Sequence, residues 1–283
     1  SSAASDVYKR QNFKIALDLS SKLPAKFAFG ILMRGFFVCC CDIMNCVCGG
    51  LLVKKIDFGR DFVNQHLNLF RCPVCKSPFA EIAGYSLVCP NQHSFDLSKK
   101  GTLFFLTKQA NNEYDKAMLQ ARHKILQAGL FDPIVNEISR HLSDGPETIL
   151  DVGCGEGTPL ARLLKLRSGD DTAIGFDISK DGINLATQQP VDAFFCIADL
   201  ARLPFNNQTF STIIDLFSPS AYDEFNRVAQ SGGKLIKIIP NSNYLHELRE
   251  ALFGSGQKNS SYSNDKVFDL FMKHYPNATI NQL

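Results

Sequence analysis

Four residues have the types and spacing of a metal site. Cys72 and Cys75 stand as C-x2-C, thirteen residues follow, and Cys89 and His93 close the set as C-x3-H. Tetrahedral zinc takes four such ligands, supplied from two tight turns. Pro73 and Pro90 stiffen the backbone beside a ligand in each turn. Four protein ligands leave no open coordination position, so a zinc ion held here is structural and not catalytic. The competing reading is a disulfide or a pair of buried thiols, and a histidine at the fourth offset favours zinc over both.

A second set has the pattern of a cofactor site. Thr148-Ile149-Leu150-Asp151-Val152 is apolar or β-branched apart from its acid, and Gly153, Gly155 and Gly157 follow at alternate positions. Glycine accepts backbone angles that a Cβ forbids and lets the main chain approach a ligand closely. Thr172–Asp177 is another apolar run ending in an acid, 26 residues after Asp151. An acid at that distance can hold the two hydroxyls of a ribose. Ala193–Asp199 and Ser211–Asp215 repeat the design. Each acid alone reads as a solvated strand end, but all four in this order do not.

These residues need strands that alternate with helices. A helical run, Leu160 to Leu166, follows the glycine turn, and Lys234–Ile239 reads as a fifth strand ending at Pro240. Tyr85–Val88 reads as a short strand between the two cysteine pairs. Tyr114–Leu126 and Phe131–Leu142 read as helices broken at Ala128-Gly129. In the second of these, Phe131, Ile134, Val135, Ile138 and Leu142 share one face, and Asp132-Pro133 suits its first turn. The alternation implies an α/β fold with a parallel, doubly wound sheet. Ligands of such sheets sit at the carboxyl ends of the strands, where strand order reverses. A dinucleotide-binding turn wants G-x-G-x-x-G, so the G-x-G-x-G spacing here puts that reading second.

The acid-and-glycine pattern resembles the class I S-adenosylmethionine-dependent methyltransferases, with their Rossmann-like sheet. The resemblance implies that the Gly153–Gly157 turn, with Gly153, Gly155, Glu156 and Gly157, wraps the methionine part of the cofactor and that Asp151 is also a cofactor-binding residue. Asp177 would hold the ribose, and Asp199 with Leu200 would meet the adenine. Phe131 matches an aromatic beside the cofactor. Tyr244, ahead of the helix Leu245 to Leu252, stands where many members carry a cofactor-contacting histidine, which is a departure. Cys72 to His93, continued by Ser94-Phe95-Asp96-Leu97-Ser98-Lys99-Lys100-Gly101, resembles the zinc module of the bacterial 23S ribosomal RNA guanine-N1 methyltransferases. Asp199–Pro204 and the stretch Ile213–Pro219 with Tyr222 and Phe225 resemble the Gram-positive branch that includes tylosin-resistance enzymes.

That resemblance implies methyl transfer to N1 of a guanine in a 23S rRNA hairpin. N1 lies on the Watson–Crick edge, so the base must be unpaired or flipped. Asp215 is the candidate base for the N1 proton, and Phe217 or Tyr222 would stack on the guanine. Lys99, Lys100, Phe104 and Phe105 are candidate RNA contacts, with at least one phenylalanine assigned to the core. Alternatives are a small-molecule methyltransferase and an inactive RNA-binding fragment.

Composition is ordinary for a globular protein, 45% hydrophobic and 20% charged, and the net charge of +2 names no partner. Its distribution says more. Arg71 to Lys108 carries five basic residues against two acids, whereas Glu147 to the end carries twelve against sixteen. A basic small module beside an acidic catalytic one fits an RNA reader joined to an enzyme. Three of the ten cysteines have ligand spacing, which fits a reducing cytoplasm.

Four segments result: an atypical leader, 1–69; a zinc-binding RNA-recognition module, 70–108; a helical connector, 109–146; and the methyltransferase domain, 147–283. The leader begins like a translated sequencing-adapter remnant, Ser1 to Gln11, and continues into an apolar stretch, 27–53, holding Cys39, Cys40, Cys41, Cys46 and Cys48. An upstream reading-frame extension is the first reading of it, a membrane anchor the second, and a metal or redox patch the third. Outside that stretch no membrane partner is expected, and a homodimer is left open. The resemblance covers Phe70 to Leu283 and implies a seven-stranded sheet ending in a hairpin. After Ala278-Thr279-Ile280 there is no room for its final strand, so C-terminal sheet strands are expected to be missing.

Overall fold

The zinc module and the glycine-turn sheet are built on a common core. A computed structural model describes residues 13–19, 54–107, 116–167, 169–241, 244–245, 247, 250–251 and 264–282, with the backbone alone for 13–19 and 116. Residues 1–12 and 20–53, including the cysteine run, lie outside the described residues, as do residues 246, 248, 249 and 252 of the expected helix 245–252.

Strand β1 (Phe13–Leu19) is followed by helix α1 (Lys55–Gln65), and the zinc module contributes β2 (Glu81–Ala83), β3 (Ser86–Val88) and β4 (Ser94–Asp96). After β5 (Leu103–Phe104) come the connector helices α2 (Lys116–Gln127) and α3 (Asp132–Arg140). The alternation then runs β6 (Thr148–Val152), α4 (Thr158–Lys165), β7 (Thr172–Asp177), α5 (Lys180–Ala186) and β8 (Phe194–Ile197). It continues with β9 (Phe210–Leu216), α6 (Tyr222–Val228), β10 (Ala229–Pro240), α7 (Asp265–His274) and β11 (Thr279–Gln282).

The large sheet has the order β11-β1-β10-β9-β6-β7-β8-β5, and β2-β3-β4 form a small antiparallel sheet. From β10 to β5 all pairings are parallel. Strand β6 is flanked by β7 on one side and β9 on the other, so the chain reverses its direction of travel across the sheet there. That is the ligand-binding switch point of a doubly wound sheet.

Two elements come from the stretch that the sequence reading set apart. Strand β1 lies between β10 and β11, antiparallel to both, with Phe13 opposite Pro240 and Leu17 opposite Thr279. This fills the sheet position for which the sequence reading found no strand after residue 280. In Phe13-Lys14-Ile15-Ala16-Leu17-Asp18-Leu19 the large apolar residues fall at every second position, the period of a strand. Helix α1 presses Gly59 against Gly101, where a Cβ on Gly59 would come within 2.4 Å of the Gly101 carbonyl oxygen. Phe62 of that helix stacks on Phe194 of β8 at 5.0 Å.

Each face of the sheet has its own core. On one, Phe70, Phe79, Leu87 and Phe105 from the zinc side pack with Val152, Ile174, Phe194 and Phe205. Burying a phenylalanine of this kind contributes about 1.5–3 kcal/mol. On the other, Ile134, Val135 and Ile138 of α3 pack with Leu160 and Leu163 of α4 against Ile149, Ala173 and Ile214. The periodicity of α3 is a core face, as its spacing implied.

Candidate cofactor cleft and zinc centre

The four predicted zinc ligands converge. The sulfur atoms of Cys72, Cys75 and Cys89 and a ring nitrogen of His93 all lie within 4.8 Å of one another. Cys75 Sγ and Cys89 Sγ are 3.6 Å apart, and Cys89 Sγ lies 3.3 Å from His93 Nδ1. Two thiolates on one tetrahedral zinc stand about 3.8 Å apart, far beyond a disulfide bond, so the donor set fits zinc and the disulfide reading fails. Each turn is closed by a backbone hydrogen bond and holds one residue in the left-handed region. The Lys76 and Cys72 backbones are joined by an N–H···O bond of 2.8 Å, and Lys76 takes φ 64°. In the second turn Gln92 N donates to Cys89 O, three residues back, at 2.9 Å, and Gln92 takes φ 63°. Burial pushes the Cys72 thiol up to about 11, while the hydrogen bond from Asn91 pulls Cys75 down to about 5.

The module is joined to the loop after β8 by hydrogen bonds that end on main-chain carbonyls. Arg71 N donates to Pro204 O at 2.9 Å, and Asn206 Nδ2 donates to both Asn68 O and Phe70 O. Phe105 is core, whereas Phe104 is 46% exposed, and Lys99 and Lys100 are exposed as well.

At the switch point, Gly153, Gly155 and Gly157 all adopt left-handed angles, φ 63°, 57° and 80°. A Cβ at Gly153 would come within 2.4 Å of Ser218 Oγ, and one at Gly157 within 2.9 Å of the Ala186 Cβ. A Cβ at Gly155 would meet nothing within 4 Å, so that turn opens onto space. Gly155 N donates to Asp177 Oδ2 at 2.9 Å and Ser179 N to Oδ1 at 2.7 Å, which fixes the carboxylate at the end of β7. Burial raises the pKa of Asp177. Asp199 is exposed and caps the short turn at Leu200 through Ala201 N, 2.9 Å from Oδ1.

Asp151 lies under the turn, and its Oδ2 is buried with no hydrogen-bond partner. Burial first, then the neighbouring Asp177, Asp215 and Glu156, push its carboxyl up to about 8. An orphaned buried carboxylate oxygen fits a cofactor that brings its own cation, and the amino-acid end of S-adenosylmethionine carries an ammonium. Phe131, Phe217 and Tyr244 form an aromatic row, with ring centres 5.4 and 5.6 Å apart, and the Arg122 guanidinium lies over Phe131.

Two predicted site residues are otherwise engaged. The Glu156 side chain turns into the protein, bonded to Thr158 Oγ1 and His123 Nδ1, so only its backbone faces the turn. Asp215 is fully buried and paired with Lys237 Nζ at 2.8 Å, with Ser220 Oγ on the same oxygen at 2.7 Å. A carboxylate so committed is not placed to take a proton from a base in the cleft. Sequence reasoning missed Lys237, although a lone lysine within the apolar run Leu235 to Ile239 signals a buried acid partner. It also missed His123 and Arg122, whose helix gave no local sign of reaching the glycine turn.

A family model described as a methyltransferase domain matches residues 149–233, and one described as RlmA, N-terminal, a zinc ribbon, matches residues 70–111. A putative 23S rRNA (guanine-N(1)-)-methyltransferase of Bacillus subtilis is 39% identical over 213 residues, covering 72% of this chain and 75% of the relative. The chain belongs to the 23S rRNA (guanine-N1)-methyltransferase family. A relative so named from Micromonospora griseorubida is 31% identical, covering 64% of this chain and 69% of its own. A 23S rRNA (guanine(748)-N(1))-methyltransferase of Streptomyces fradiae is 30% identical, covering 64% and 67%. As in the family, the cofactor is S-adenosylmethionine and the zinc is structural. Among the described residues, no helix is long and apolar enough to cross a membrane.

Proposed function

We propose that the chain methylates N1 of a guanine in a 23S rRNA hairpin. The observation that carries this reading is the three-glycine turn, with its orphaned Asp151 oxygen, joined through one core to a four-ligand zinc module. Cys72, Cys75, Cys89 and His93 hold zinc and shape the module. Asp151 and the Gly153–Gly157 backbone hold the amino-acid end of the cofactor, and Asp177 accepts from the ribose hydroxyls. Asp199 accepts from the adenine amino group beside Leu200. Phe131 and Tyr244 close the aromatic side. The bound cofactor supplies an electrophilic methyl on sulfur. The protein's part is to hold the guanine in line with it. With the cofactor bound, its methyl would pass from sulfur to guanine N1, which would give up its proton to solvent. Lys99 and Lys100 meet the RNA backbone. An rRNA substrate and free cysteines fit a cytoplasmic enzyme, and light scattering tests for a homodimer.

The test is incubation with labelled S-adenosylmethionine and unmodified 23S rRNA, followed by primer extension. A stop at one hairpin guanine, lost in Asp177→Ala and in Cys72→Ser, is the expected result. Label in a small molecule and none in RNA would overturn it.

A further inference from the structure

Lys237 is the buried charge for which the reading above has no use. It is 1% exposed in β10, and its register partner on β9 is Asp215, 0% exposed. Side chains at paired positions of parallel strands share a face, so the two meet. Compared with an apolar pair, a buried ion pair is neutral or costly for stability, so stability alone does not account for it.

The remaining bonds point elsewhere. Lys237 Nζ also donates to Ser218 O at 3.1 Å. Asp215 accepts from Ser218 N at 3.3 Å and from Ser220 Oγ at 2.7 Å. Among the described residues, every hydrogen bond these two side chains make outside their own pair goes to one segment, residues 218–220. The turn into that segment is made by Phe217, whose φ of 58° is unusual for a bulky residue and needs outside support. Its ring lies between those of Phe131 and Tyr244. The segment also abuts the cofactor turn, because the space a Cβ would need on Gly153 is taken by Ser218.

We infer that Asp215 and Lys237 are a positioning pair. Together they hold Phe217–Ser220 over the glycine turn as a wall of the cleft in which methyl donor and acceptor base meet. Lys237 touches neither reactant; it acts through the segment, and Asp215 is its counter-ion and not the base. What the cleft does rests on the proposed function; the ordering of the segment does not.

The experiment compares Lys237→Met, Asp215→Asn and the double variant with wild type. It reads hydrogen exchange across residues 216–221, zinc content, cofactor affinity and single-turnover methylation of 23S rRNA. Each single variant leaves one buried charge unpaired and loses melting temperature; the double variant, neutral at both positions, regains most of it. The expected result is that all three variants exchange residues 216–221 at least about tenfold faster. Their methylation rate falls about a hundredfold, while zinc content holds and cofactor affinity falls far less than the rate. A double variant that recovers protection and rate along with melting temperature would reduce the pair to a core element and overturn the inference. Unchanged protection in the folded variants would overturn it too. If Lys237→Met fails to fold, the double variant carries the comparison. If wild type leaves 23S rRNA unmethylated, the proposed function fails while the exchange data still decide the positioning role.

Discussion

The zinc centre and the β9–β10 end of the cleft are two ways of building a site. The zinc ligands come from two short turns, each complete within five residues, and the turn geometry brings them together. The Asp215–Lys237 pair joins residues 22 apart across a strand register, and its purpose appears only when the segment 218–220 is seen bonded to both. A site of the first kind is written locally. A site of the second kind exists only after the sheet has formed.

The largest effect should come from the local site. Removal of zinc by a strong chelator, or Cys72→Ser, should unfold the module, since metal binding in comparable small sites supplies about 10–16 kcal/mol of folding free energy. Because that module shares a core with β8, circular dichroism should report losses in the sheet as well. Retention of the full sheet signal would mean the two regions are separable after all. Next is Gly153→Ala, which combines a strained φ with a clash at Ser218. Cofactor affinity measured by calorimetry should fall about a hundredfold, or about 2.7 kcal/mol, with zinc content unchanged.

The third effect is a pH dependence. Without cofactor, Asp151 keeps its proton up to about 8 in the folded protein, against an ordinary 3.8. The stability associated with it is therefore complete below 3.8 and is lost as pH rises toward 8. A cofactor cation favours the ionised form, so binding releases a proton and tightens with rising pH, by up to about tenfold per unit below pH 8. Calorimetry in buffers of different ionisation enthalpy would detect the proton; affinity that is flat between pH 6 and 8 would remove Asp151 from the cofactor site. The smallest effect is at the surface. Lys99→Ala with Lys100→Ala should weaken RNA binding several-fold and flatten its salt dependence by about one to two units of slope, with cofactor affinity unaltered. An unchanged salt slope would exclude these lysines from the RNA contact.

Much of the cleft was legible because strand-end acids and a glycine turn lie close in the chain. Thr172–Asp177 was read with its observed boundaries, and the fifth strand was placed correctly though it extends further, from Ala229 to Pro240. The engagement of Glu156 was not legible, because its partner His123 lies on a helix 33 residues away. Nor was the place of β1. Its alternation stands in the sequence, but no local signal says that it pairs with residues more than 200 positions later. The same limit hid the buried partner of Asp215, which the strand-end pattern alone presented as a free acid.

One further consequence follows from the interlocked phenylalanines beneath the zinc module. Phe70 packs edge-on against Phe194, which also stacks on Phe62, and Phe105 lies against Phe70. Close-packed rings of this kind transmit position and do not absorb it. The span from the Lys99–Lys100 turn to the Asp177 carboxylate is then a fixed gauge. On the proposed reading, an RNA hairpin is measured as well as bound: a guanine one base pair too near or too far from the gripped backbone would miss the methyl group, however well its edge matched the cleft.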